Sequence, residues 1–399
     1  MPSNSLETKR NNKIRIAKFI SAQGSTSKAE IAASLHLSMP TTLQNVKEII
    51  EAGVVTETGE YDSTGGRKAK ALSIVRDAAF AVGVDITRNH VALVLVNARK
   101  EIVGYERIRK SFANEPAYYD FVKDLVLAFT VKYGVDKGKV TGVGFSLPGI
   151  VDREQKVLLF SHVLRVENIS FHSLGSALGL PYELDNDANS AAYAELDDKT
   201  KNAVYLSLSN TVGGAIYLQD HLYKGENFKS AEFGHMVIER EGRPCYCGKK
   251  GCVDAYCSAM LLQEAGDGSL EGFFEKLRAA QCSEGPARVE QQEMRQETKS
   301  VTDAGGCQIE SQILDIWEKY LDHLALTIAN LRMLFDCKIV LGGYVGGYLD
   351  EFLPQLSRKV LRHNHFDLDA SYLETGKYKL AASAYGAALE YIDSFLERI

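Results

Sequence analysis

Four side chains able to bind a metal fall within fewer than twenty residues: His235, Cys245, Cys247 and Cys252. Glu232 stands just before them and Asp254 just after. Gly234, Gly242, Gly248, Gly251 and Pro244 interrupt any regular helix or strand there, so the segment needs another means of holding its shape. Three thiolates and an imidazole are a complete tetrahedral set for zinc in a closed structural site. Buried or disulfide-linked cysteines are the other reading. Cys-x-Cys does not readily bridge to itself, and it is tighter than the common zinc-ligand spacing. Cys257 lies close enough in sequence to compete as the fourth ligand.

A second polar constellation is Asp185-Asn186-Asp187-Ala188-Asn189. It falls between an apolar strand, Tyr182 to Leu184, and a helix from Ser190 to Leu196. Short polar side chains are thereby placed at the carboxyl edge of a sheet, where α/β folds bind ligands. The same residues also suit a capped helix start.

The elements that position these groups follow from hydrophobic spacing. Ile14, Ile16, Ala17, Phe19 and Ile20 recur at helical intervals over residues 12–22. A second helix runs from Ser27 to Leu35, with Ser27 as N-cap and Glu30 three residues on, a capping box. Ser38 caps a third, with Pro40 in its first turn and Gly53 at its end. Two helices joined by a short turn after a lead helix describe a helix-turn-helix. Val54 to Glu57 and Ala71 to Val75 read as two strands around a loop bearing Gly65, Gly66, Arg67, Lys68 and Lys70, which makes a wing. The third helix is expected to expose Ser38, Thr41, Thr42, Gln44, Asn45 and Lys47 to DNA, with Val46, Ile49 and Ile50 in the core. Gln and Asn can read adenine, Thr and Lys suit phosphate or thymine methyl, and an arginine-bearing wing tip (Arg67, Lys68) suits the minor groove.

Further on, AFAVGVDI and HVALVLV form a hairpin around Asp85-Ile86-Thr87-Arg88-Asn89-His90. A helix spans about Ala117 to Lys132, and the strand VTGVGFSLPGIVD follows it. NAVYLSLSNTVGGAIYLQD reads as a strand bent at Gly213-Gly214. Residues from about 280 to 309 are polar and aperiodic, an insertion with no function legible in it. A long amphipathic helix, Ile313 to Asp336, then a strand KIVLGGY and a last helix, Ala381 to Leu396, complete the chain.

Glu232-Phe233-Gly234-His235, followed by Cys245-Tyr246-Cys247-Gly248-Lys249-Lys250-Gly251-Cys252, resembles the ExGH and CxCGxxGC motifs of the ROK (repressor/ORF/kinase) family. That family joins sugar kinases to sugar-responsive regulators, among them those of the xylose- and N-acetylglucosamine-repressor kind. The resemblance implies an α/β fold class: an N-terminal winged helix-turn-helix followed by a two-lobed, actin-like (ribonuclease H-like) body. It implies one structural zinc on His235, Cys245, Cys247 and Cys252. It also implies sugar contacts from Asn186, Asp187, Glu232 and His235, with Asp254 where the family often has Glu. Asp187 matches the kinases' general base. The kinases' first phosphate loop, Asp-x-Gly-Gly-Thr, has lost both glycines here, and GTGIGxG survives in part at Gly213-Gly214. Both departures count against phosphoryl transfer from ATP.

Charge and composition agree with this division. The chain of 399 residues has a net charge of −6, but residues 1–76 hold eleven Lys or Arg against seven Asp or Glu, leaving a net of −10 on residues 77–399. A basic module at 1–76 on an acidic body at 77–399 fits a DNA reader joined to an effector domain. Seven cysteines, an odd number and partly clustered, suit a reducing cytoplasm. No apolar run is long enough to span a bilayer. The expected partners are operator DNA, a small sugar and further copies of the chain, as a homodimer or homotetramer. The competing expectation is an ATP-dependent sugar kinase with an accessory DNA-binding domain.

Overall fold

The computed structural model describes residues 3–61, 69–196, 200–283 and 304–399. Arg67, Lys68 and most of the 280–309 insertion therefore lie outside the described residues. The chain forms two compact units, Met1–Ala194 with Ala381–Ile399, and Glu195–Leu380.

The first unit begins with α1 (Ser3–Gln23), α2 (Lys28–Ser34) and α3 (Met39–Glu51). Strands β1 (Val55–Tyr61) and β2 (Ala69–Ile74) pair antiparallel, Val55 opposite Ile74. Three helices followed by an antiparallel strand pair is the element order that the sequence led us to expect for this head. Helix α1 starts well before Asn12, because its polar first half carries no apolar stripe for periodicity to detect. Ser27 Oγ accepts from the Glu30 amide at 3.2 Å, and Ser38 Oγ from the Thr41 amide at 3.3 Å, so both expected N-caps form. Ile16, Ala17, Ile20, Ile31, Val46, Ile49 and Leu72 make the small core, and Leu396 from the far end of the chain closes it.

Beyond this head, β3 (Phe80–Ile86), β4 (His90–Asn97) and β5 (Ile102–Arg109) form an antiparallel meander. After α4 (Pro116–Lys132), β6 (Val140–Leu147) returns parallel to β3. Strands β7 (Ile150–Asp152), β8 (Val157–Ser161) and β9 (Val166–Ser170) make a side sheet. Helix α5 (His172–Leu178) leads to β10 (Tyr182–Asn186), parallel to β6, and then α6 (Asp187–Glu195). The main sheet order is β10-β6-β3-β4-β5. Strand β3 is buried along its whole length, as expected of a central strand covered on both faces. The C-terminal helix, Ala382–Leu396, covers one face so closely that a Cβ on Gly83 would lie 1.7 Å from the Ala384 carbonyl oxygen.

The second unit repeats the topology. Strands β11 (Ala203–Leu208), β12 (Val212–Leu218) and β13 (His221–Tyr223) form the meander; β14 (Lys338–Gly342) and β15 (Leu373–Thr375) add parallel to β11 and to β14. The segment read as one bent strand is thus the β11–β12 hairpin. A helix from Leu270 to Ser283 and one from Ala304 to Phe335 pack on this sheet around Trp317, Phe273 and Phe274. The long helix begins earlier than its apolar periodicity suggests.

Candidate functional site

His235, Cys245, Cys247 and Cys252 converge, with their ligand atoms all within 4.8 Å of one another. Cys245 Sγ lies 3.7 Å from His235 Nδ1, and Cys247 Sγ lies 3.7 Å from Cys252 Sγ. A tetrahedral cation bonded to sulfur at about 2.3 Å and to nitrogen at about 2.0 Å would space its ligands roughly 3.5–3.8 Å apart. The donor set and its spacing therefore fit a metal ion. Cys257 does not join the cluster. It is buried in the apolar core of the second unit, and Tyr320 Oη donates to its backbone carbonyl.

The backbone around the cluster holds itself by isolated bonds rather than by a ladder. The Cys245 amide donates to Lys249 O, the Gly248 amide to Cys245 O, and the Gly251 amide to Arg243 O. Gly251 has φ +77°, and a Cβ there would lie 1.7 Å from Glu239 O, so only glycine fits. The His235 ring nitrogen away from the cysteines, Nε2, lies 3.4 Å from Tyr246 Oη. Tyr246 was not among the expected site residues, although its place inside Cys-x-Cys was the available signal. Glu232 is exposed one turn before His235, whereas Asp254 is buried. Asp254 accepts from the Val212 amide, tying the metal segment to the start of β12, and burial pushes its carboxyl up to about 6.

In the first unit, Asn186 and Asp187 stand where β10 gives way to α6. Asn186 Oδ1 accepts from the Ala188 amide at 2.9 Å and from the Asn189 amide at 3.1 Å, while its Nδ2 donates to Gly149 O. Asn186 therefore caps α6, one of the two roles weighed for this motif, and pins the Pro148-Gly149 turn. Asp187 Oδ1 accepts from the Ala188 amide. Asp185 is nearly buried and bonds Arg153, whose guanidinium also reaches Glu390 on the C-terminal helix.

The β3–β4 turn closes on itself. The Thr87 amide donates to His90 O, the His90 amide to Thr87 Oγ1, and Arg88 Nη1 to Leu164 O. Amides engaged in this way are withdrawn from a phosphate. Asp85 beneath it is buried, accepts from Ser146 Oγ, and is pushed by desolvation up to about 6.

On α3 the structure corrects two of the expected DNA contacts. Thr42 is 0% exposed and Asn45 2% exposed, whereas Ser38, Gln44 and Lys47 are exposed and Thr41 half-buried. Thr42 Oγ1 donates to Ser38 O and Asn45 Nδ2 to Thr41 O, so both side chains fold back on the helix. They share a face with Val46 and Ile49, three and four residues apart, and that spacing was the signal missed. Met39 and Leu43 take their place on the outer face, 43% and 46% exposed.

A model of the ROK family matches residues 81–393 of the chain. A putative xylose repressor from Caldicellulosiruptor sp. (strain Rt8B.4) is 26% identical over 383 residues, 91% of this chain and 92% of that protein. Among solved structures, a ROK family transcriptional regulator, a homologue of the Escherichia coli MLC protein, superposes with a TM-score of 0.68 at 22% identity. That alignment covers 98% of this chain and 97% of the other. A ROK hexokinase from Thermus thermophilus gives 0.56 at 21% identity, covering 97% of its own chain but 78% of this one. Both structures share the fold.

Proposed function

The chain belongs to the ROK family, and from that premise we propose that it is a transcriptional repressor of carbohydrate-utilisation genes, released from its operator by a sugar. The observation that carries this reading is the xylose repressor's alignment over nearly the whole of both chains, on a fold with a three-helix, two-strand head. Residues 1–76 are the DNA-binding module and 77–399 the effector and oligomerisation body. Ser38, Thr41, Gln44 and Lys47 face DNA, with Arg67 and Lys68 supplying the wing. Asn186, Asp187, Glu232, His235 and Asp254 are the sugar contacts of this reading, and Asp254 also holds the start of β12.

One zinc ion held by His235, Cys245, Cys247 and Cys252 would act structurally, fixing the His235 ring and the segment bearing Glu232. The protein acts as a homo-oligomer, since paired half-sites require two heads. Among the described residues no helix is long and apolar enough to cross a membrane, and the cytoplasm is the compartment in which such a regulator works.

Asp187 does not make this chain a kinase. Phosphoryl transfer depends on positioning the triphosphate, and the β3–β4 turn supports the absence of that positioning because its Thr87 and His90 amides are bonded internally. Sugar-dependent ADP release at ordinary kinase rates, abolished by Asp187→Ala, would overturn this.

The test of the regulator reading is calorimetric titration of sugar, xylose first, with and without saturating operator. Linkage requires the operator to weaken sugar affinity by the factor with which sugar weakens the operator, about 5–150-fold for ordinary couplings. Equal sugar affinities in the two titrations would sink the inducer mechanism, and tighter binding on DNA would make the sugar a co-repressor or co-activator.

A further inference from the structure

The outer face of α3 holds one side chain whose orientation is imposed by its neighbours. Gln44 is exposed, and its Nε2 donates to Glu48 Oε1 at 2.7 Å, one turn further along the helix. Glu48 in turn pairs with Lys9 Nζ of α1 at 2.5 Å. A carboxylate only accepts hydrogen bonds, so the atom that Gln44 turns toward Glu48 must be its nitrogen. One N–H of the amide is then engaged, which leaves the second N–H and Oε1, in the same amide plane, as the remaining donor and acceptor.

That arrangement matters because of what adenine presents in the major groove. N6–H donates and N7 accepts, so a glutamine reads the base with Oε1 on N6 and an N–H on N7. A flipped amide would set donor against donor and acceptor against acceptor. Resting on the reading that this head binds DNA, we propose that Glu48, paired with Lys9, is a positioning residue that pre-sets Gln44 to read an adenine in each operator half-site. The Lys9 contact has a second consequence. A lone carboxylate one turn from the reading residue would repel the phosphates, and Lys9 offsets its charge at 2.5 Å. Hydrogen bonds from Lys9 and Gln44 hold the Glu48 carboxyl below its ordinary range.

The experiment uses the full-length protein. Its half-site is first selected from a pool of random duplexes, and affinities for single-base variants of the selected site are then measured by fluorescence anisotropy. At one A·T pair, replacing the adenine should cost wild type roughly 5–150-fold. Gln44→Ala should erase the preference at that pair alone. Glu48→Gln, which keeps size and helix propensity but can donate as well as accept, should reduce the preference severalfold at the same pair. The double variant should lose no more there than Gln44→Ala. Substituting 7-deazaadenine at that pair should weaken wild type and leave Gln44→Ala unaffected.

A role confined to charge or helix stability would shift all duplexes together. A uniform shift, or a preference unchanged in Glu48→Gln, would therefore overturn the proposal, as would a preference that survives in Gln44→Ala. Should Glu48→Gln melt early, Lys9→Gln serves as the second variant. It should weaken every duplex while keeping the adenine preference, and loss of that preference alone would overturn the proposed ordering of roles. If no sequence is enriched from the pool, the DNA-binding reading of the head fails instead.

Discussion

The two units share one sheet topology yet secure their functional segments by opposite means. In the first, the helical head is anchored by apolar packing, with Ile16, Ala17, Ile20, Ile49 and Leu72 closed over by Leu396. In the second, the segment from Glu232 to Asp254 offers few apolar side chains and little regular structure, and its ordering centres on His235 and three cysteines. A short loop cannot bury enough surface to offset the entropy of fixing its backbone, and a metal ion on this cluster would supply what packing does not. The hairpins differ too. The β3–β4 turn is closed by its own side chains, whereas the start of β12 is held by Asp254 from the cysteine segment.

The sharpest way to break this comparison is to remove a thiolate. If the cluster holds zinc, as proposed, Cys252→Ser leaves three of its four ligands and should lose most of the metal. The segment around Glu232 should then become accessible to protease, while the head keeps its DNA affinity. Metal analysis with limited proteolysis checks this, with Cys257→Ser as the control that retains metal. A Cys252→Ser protein with full metal content would show another ligand set.

Leu396→Ala addresses the other unit. It truncates a fully buried side chain and should destabilise the head by about 2–5 kcal/mol. Operator binding should weaken at temperatures where the metal content is unaltered. If both properties fail together in a thermal series, the two anchoring modes are not independent.

Asp85 adds a pH signature to the first unit. Its folded pKa, pushed up to about 6, lies above the ordinary value of 3.8, so folding favours the protonated form. The cost of ionising it is complete above about pH 6 and vanishes below about pH 4. That cost is about 3 kcal/mol for a shift of this size. Stability should therefore rise as pH falls from 7 toward 4 in this respect. Asp85→Asn, which can still accept from Ser146, should raise the melting temperature at pH 7.5 and flatten that dependence. An Asp85→Asn melting point below wild type at pH 7.5 would refute it.

The smallest effect is expected at Asn45. Its Nδ2 bond to Thr41 O is lost in Asn45→Ala, but so is a buried Oδ1 with no partner, and alanine is the better helix former. Stability should change by less than about 1 kcal/mol and operator discrimination not at all, in contrast to Gln44→Ala. Lost discrimination in Asn45→Ala would restore it to the DNA-facing set.

Much of this was legible because it depends on neighbours in sequence. Ser27 and Ser38 cap helices through amides three residues away, and the His/Cys cluster was recognised as a metal-ligand set once its spacing was joined to the resemblance of the motifs around it. What sequence could not decide depends on contacts between distant segments. Whether Cys257 or Cys252 completes the cluster was settled by burial of the former in a core built from helices far along the chain. That Asp254 accepts from the Val212 amide, forty-two residues away, depends on where β12 is placed. Leu396 closes a core formed by residues 16–74, since folding brings the last helix beneath the head. Local hydrogen bonding and periodicity act within a few residues and can be read from order alone. Desolvation and packing depend on which surfaces meet, and only the tertiary structure determines that.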